Sequence, residues 1–143
     1  MTEYMTEIHS HNLLYRLLKH TDVTENYVSW LNNPEINKYL EARHSYHTFD
    51  SCQAFVAEML RDNNQHLFGI FLKSNNSHIG NIKLGFIDSN YHTGQIGLLI
   101  GEKDQWGKGF ATEAIKELTS WGFKSLSLQK IEAGCYDNNI GSL

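Results

Sequence analysis

At 143 residues the chain has the length of a single domain, and its 41% share of hydrophobic residues is enough to build a core. A formal net charge of −4 argues against a general nucleic-acid binder, which needs a basic face for phosphates. One proline, two distant cysteines and no long apolar run exclude a largely disordered chain, a disulfide framework and a membrane-spanning helix.

The opening MTEYMTEIHSHN is polar and acidic, neither a signal peptide nor an anchor, so a reduced, cytoplasmic protein is the expectation. NLLYRLLK (12–19) reads as a first strand. Thr24 or Asp22 is placed to cap a helix through Tyr27, Val28 and Leu31. Pro34 breaks it and starts a second short helix, PEINKYLE. A polar loop, Arg43 to His47, follows. Its His44 and His47 are expected to be solvated loop residues, and no metal is expected. Thr48 then caps a longer helix with Phe49, Cys52, Phe55, Val56, Met59 and Leu60 at spacings of three and four.

Beyond Gln65 the texture changes. HLFGIFLK (66–73), HIGNIKLGFID (78–88) and HTGQIGLLIG (92–101) read as strands of an antiparallel meander, joined at SNNS and DSNY. The second should place Ile82, Leu84 and Phe86 on one face. A helix follows with Ala111, Ala114, Ile115, Leu118 and Trp121 as its apolar stripe. QKIEAGCY (129–136) is a last strand, with Ile131, Ala133 and Cys135 on one side. The predicted order is β-α-α-α-β-β-β-α-β. Asp137 to Leu143 looks like a helix just begun, which leaves an apolar strand edge uncovered. Either the domain continues past Leu143, or a second chain, as in a homodimer, covers that edge.

DQWGKGFATEA (104–114) sets Gly107 and Gly109 directly before the last helix. A glycine turn there presents backbone N–H groups at the positive end of a helix dipole, which is an anion site. Thr112 adds a hydroxyl, and Lys103 and Lys108 add charge. The alternative is that the glycines only shape a tight turn and let the helix pack close to a strand. The spacing is not GxxxxGK[ST] of a phosphate loop, and the turn does not follow the first strand of a parallel dinucleotide unit. A pyrophosphate held outside both folds is what remains, and coenzyme A carries one.

WGKGFATEAI, set between an antiparallel meander and LQKIEAGCYDNNIGS, resembles the GNAT superfamily of acyl-CoA-dependent N-acetyltransferases. WLNNPEINKYLEAR (30–43) and HIGNIKL (78–84) resemble the branch of ribosomal-protein alanine, spermidine and amino-sugar acetyltransferases. The resemblance implies an α+β fold with a central, mostly antiparallel sheet and helices on both faces. It implies acetyl-CoA as acyl donor, with its pyrophosphate on the amides of Gly107, Lys108, Gly109, Phe110, Ala111 and Thr112. Trp106 stands where the wider family has Arg or Gln, as is usual in this branch. Strand 92–101 would splay from strand 129–136 to admit pantetheine, with Leu99 and Ile100 as backbone partners and Asn138 as a side-chain contact. The family pattern continues from N-x-x-S into a further helix and two strands, so the resemblance too implies a domain extending past Leu143.

The implied reaction is attack of a primary amine on a thioester, the amine belonging to a protein N-terminus, a polyamine or an amino sugar. Many relatives place a carboxylate near the middle of the splayed strand. Gln95 holds that place here and cannot take a proton, so it is assigned to substrate binding together with Glu41 and Arg43. Glu102 and Tyr136 are the candidates for proton transfer. Asp104 and His92 also carry suitable groups, and a structural role is the default for each. Cys135 lacks the His partner of an acyl-accepting nucleophile. Two other functions fit the same residues: a CoA-binding or regulatory module without catalysis, and a phosphate-binding structural domain.

Overall fold

A computed structural model of the protein describes residues 7–37 and 45–133. Six strands form one sheet in chain order: β1 Glu7–His9, β2 Leu13–Leu17, β3 His66–Leu72, β4 His78–Asp88, β5 Thr93–Ile100 and β6 Lys130–Ala133. The first five pair antiparallel, and β6 pairs parallel with β5. Four helices flank the sheet: α1 Glu25–Asn32, α2 Pro34–Asn37, α3 Phe49–Arg61 and α4 Phe110–Ser125. This is the expected mixed α and β architecture, with one strand more than the sequence pattern indicated. The short β1 was hidden in the polar N-terminal stretch because only Ile8 of its three residues points inward.

Alternation along the strands divides the core in two. Phe68, Ile70, Ile82, Leu84, Ile96 and Ile100 face α4, where Ala111, Ala114 and Leu118 form the buried stripe. Leu67, Phe71 and Leu99 face the opposite way and meet Tyr27, Trp30, Cys52, Val56 and Met59 of α1 and α3. Thr24 and Thr48 cap α1 and α3 as expected, each accepting from a backbone N–H three residues on. Asp22 does not cap α1. It receives both guanidinium nitrogens of Arg16 and the Lys19 amide.

Three expectations change. Half of the α3 stripe, Phe49, Phe55 and Leu60, is exposed. Phe86 leaves the Ile82–Leu84 face, because a bulge between Gly85 and Asp88 shifts the register and puts Phe86 at φ +50°. Gln65 supports that bulge by accepting from the Phe86 amide. On β6, Ile131 packs against the core while Ala133, two residues on along the strand, is exposed. Cys135 lies outside the described residues.

Candidate active site

The chain leaves β5 through a 3-10 turn, Lys103–Gln105, and reaches Gly107 at φ +77° and Gly109 at φ +83°. Both values lie in the left-handed region that favours glycine. A Cβ built on either residue meets no atom within 4 Å. Close helix–strand packing is therefore not what selects these glycines. The turn needs their backbone freedom and faces open space. Gly109 stands at the N-cap of α4, and the Glu113 amide makes the first bond back to its carbonyl at 3.0 Å. The amides ahead of Glu113 belong to the positive end of a 16-residue helix. Lys108 reaches Gln105 Oε1 at 3.4 Å. Lys103 pairs with Glu35 of α2 at 2.9 Å and so ties two elements rather than lying over the turn.

Beside this turn lies the outer edge of β5. The parallel pairing with β6 covers Thr93–Ile96 only, so among the described residues no strand covers the edge from Gly97 to Ile100. Strand alternation fixes which backbone groups that edge presents. The Gly101 amide bonds Ile79 on β4, and the His92 carbonyl accepts from Gln129 and Lys130 on the β6 side. Odd-numbered residues of β5 thus turn their amides and carbonyls to β4, even-numbered ones to the outer edge. Leu99, opposite Asn81, falls in the β4-facing set. Leu98 and Ile100 face outward instead, and the Ile100 carbonyl already accepts the Trp106 indole N–H at 2.8 Å. Which parity of β5 faces outward follows from the Gly101 hydrogen bond to Ile79 and not from the sequence.

On the α1–α3 face of the same strands opens a cleft of about 800 Å³. Gln95 and Gly97 of β5 and Asn81 and Lys83 of β4 lie along it, opposite Tyr46 and Phe55. Asn81 is buried, and its Oδ1 bonds His78 Nε2 at 2.8 Å. His78 sits among the rings of Tyr27, Trp30 and Phe71, where burial holds its pKa below the ordinary histidine value. Lys83 stacks its ammonium over the Phe86 ring at 4.5 Å. Its half-buried position lowers its pKa, against which Asp62 acts weakly.

Of the expected substrate residues, the structure brings Gln95 to the cleft; Glu41 and Arg43 lie outside the described residues, as do Tyr136 and Asn138. Glu102 does not line the cleft. Its Oε2 accepts from Trp30 Nε1 at 2.8 Å and Asn26 Nδ2 at 2.6 Å, which joins α1 to the end of β5. His92 adopts φ +58° at the entry to β5, where its carbonyl receives β6. Lys83, Asn81, Phe55 and Phe86 were not foreseen at the cleft. Lys83 and Asn81 share a face of an otherwise apolar strand, which was the visible signal; Phe86 could not be placed without the bulge.

A family model described as an acetyltransferase (GNAT) domain matches residues 12–143. A Bacillus licheniformis protein named uncharacterized N-acetyltransferase p20 is 32% identical over 116 residues, 78% of this chain and 64% of that protein. The chain spans 48–64% of the length of the curated relatives it matches. Among solved structures, an acetyltransferase of the GNAT family from Bacillus anthracis superposes with a TM-score of 0.78 at 25% identity, covering 94% of this chain and 76% of that one. A spermidine N-acetyltransferase from Vibrio cholerae, in complex with CoA and spermine, superposes at 0.72 with 26% identity, covering 84% and 69%. A glycine turn opening onto space beside β5 and a family match over nearly the whole length agree: the chain belongs to the GNAT acetyltransferase family.

Proposed function

We propose that the protein transfers an acetyl group from acetyl-CoA to a primary amine by direct attack within a ternary complex. The observation that carries this reading is the pair of positive-φ glycines facing open space at the start of α4, beside the outer edge of β5. In this reading the amides of Gly107, Lys108, Gly109, Phe110, Ala111 and Thr112 hold the pyrophosphate. The outward-facing backbone of Leu98 and the amide of Ile100 hold pantetheine, with Leu98 replacing Leu99 in the original expectation. Asn138 remains a proposed contact outside the described residues.

The donor supplies a thioester carbonyl at the β5 edge. The amine nitrogen bonds to that carbon, the carbon–sulfur bond breaks, the amine loses a proton and the thiolate gains one. The outward amide of Leu98 is placed to stabilise charge developing on the carbonyl oxygen, an effect of about 2.7–4 kcal/mol in other enzymes. Gln95 can orient the amine or a water through its amide, but it does not take the proton. With Glu102 held by Trp30 and Asn26, proton removal passes through water, and Tyr136 is the proposed acid for the thiolate. Gln95 at the cleft, which cannot take a proton, favours one second reading, a CoA-binding module without catalysis.

Amine-dependent release of CoA thiol separates the two. The proposed activity predicts thiol release that saturates with both acetyl-CoA and an amine from a panel of peptides, polyamines and amino sugars. Tight CoA binding with no release for any amine would establish the second reading.

A further inference from the structure

We propose that Trp106 is the positioning residue of the coenzyme site: its indole ties the glycine turn to the outer edge of β5, so that the pyrophosphate and pantetheine parts of one CoA molecule are seated at a fixed spacing. The inference rests on the coenzyme part of the proposed function and deepens it. Its basis is the set of bonds around one side chain. The Trp106 indole N–H is donated to the Ile100 carbonyl at 2.8 Å, and the Trp106 amide to the Lys103 carbonyl at 3.0 Å. Side chain and backbone are thus fixed to one short stretch at the end of β5. The ring packs against both halves of the core, the one beneath α4 and the one beneath α1 and α3.

The stretch that holds Trp106 is itself held. The Gly101 and Glu102 amides both reach the Ile79 carbonyl on β4, at 2.8 and 3.3 Å. Glu102 is bound to Trp30 and Asn26 of α1, and Lys103 to Glu35 of α2. Gly107 follows Trp106 directly, so Trp106 is the last side chain packed on the core before the turn. A glycine turn has wide backbone freedom, and its place depends on what anchors its ends. Ile100 carries the other half of the link. Its carbonyl takes the indole, and its amide shares the outward side of β5 with Leu98, where pantetheine is assigned. A ligand gripped at two places gains over its separate halves only while their spacing is kept. A spacing fixed before binding also spares the ligand an ordering cost.

The test is Trp106→Phe, which keeps a ring for the core and removes the N–H, with binding to the full chain read by ligand-observed NMR. The probes are CoA and its two halves, 3′-phospho-ADP and pantetheine. CoA should bind about tenfold more weakly to the variant, while each half keeps its affinity within about twofold. A benzothienyl isostere of the indole at position 106, with sulfur in place of the N–H and the shape kept, should show the same split and serves if Trp106→Phe is unstable. Native CoA affinity in either folded variant would overturn the proposal. Equal weakening of CoA and 3′-phospho-ADP would overturn it too, because Trp106 would then support the turn alone. If the native chain binds no CoA, the coenzyme reading fails and this inference with it. If both chains bind CoA equally and both shift the amides of Gly107 to Ala111, the reading stands and the inference alone fails.

Discussion

Glu102 shows how a residue's neighbours decide its role. A carboxylate at the end of β5 invites assignment as a base, yet its Oε2 is held by Trp30 and Asn26. The Trp30 ring also lies where a Cβ on Gly101 would fall, at 2.0 Å, so this corner is closely packed. Glu102→Ala should destabilise the fold by about 1–3 kcal/mol, because it leaves two donors without their acceptor. The pH dependence of turnover should keep its shape. A low-pH limb that disappears in the variant would make Glu102 the base after all. Gly109 gives the converse case. With φ at +83° and open space in front, Gly109→Ala should cost about 1 kcal/mol of stability through strain alone. The larger Gly109→Val should in addition remove CoA binding, since a branched side chain would fill the anion's approach. A folded valine variant with native CoA affinity would show that the turn is not the site.

Elements are tied to the glycine turn from behind by Glu113 in the first turn of α4. Its carboxylate accepts from Ser10 Oγ, the Asn12 amide and Asn12 Nδ2, binding the β1–β2 turn to the helix. Burial works against its ionisation, but these hydrogen bonds outweigh it and hold its pKa below the ordinary glutamate value. A depressed folded-state pKa gives stability that is present above the unfolded pKa and lost as pH falls through the folded one. The protein should therefore lose stability below the ordinary carboxylate range, and Glu113→Gln should flatten part of that loss. Because the group is partly exposed, the effect at neutral pH should be near 1 kcal/mol. Chemical denaturation at pH 7 and pH 4 measures it; an unchanged pH slope in the variant would place the acid sensitivity elsewhere, with Asp22 and Arg16 the next pair to examine.

The same scale shows what was legible in the sequence. Periodicity located α1, α3, α4 and five strands because each carries a regular apolar face and a capping or turn residue at its end. It missed β1, too short to show a period, and misplaced Phe86, whose position depends on a one-strand bulge. The glycine turn was readable because positive φ restricts residue choice locally. The cleft was not, because it joins α3, β4 and β5, and no local pattern reports which strand faces meet.

Over the whole molecule, the central claim is that one region, the start of α4 with the outer edge of β5, holds the coenzyme, while the opposite sheet face presents the acceptor. Among the described residues no helix is long and apolar enough to cross a membrane. The most direct measurement is a titration of the isotope-labelled protein with CoA, read from backbone amide shifts. The account predicts saturable shifts at Gly107, Gly109, Phe110 and Ala111, and larger shifts at the outward amides of Leu98 and Ile100 than at Leu99, whose amide is turned to β4. Saturable CoA binding that leaves the amides of Gly107 to Ala111 unmoved would contradict it.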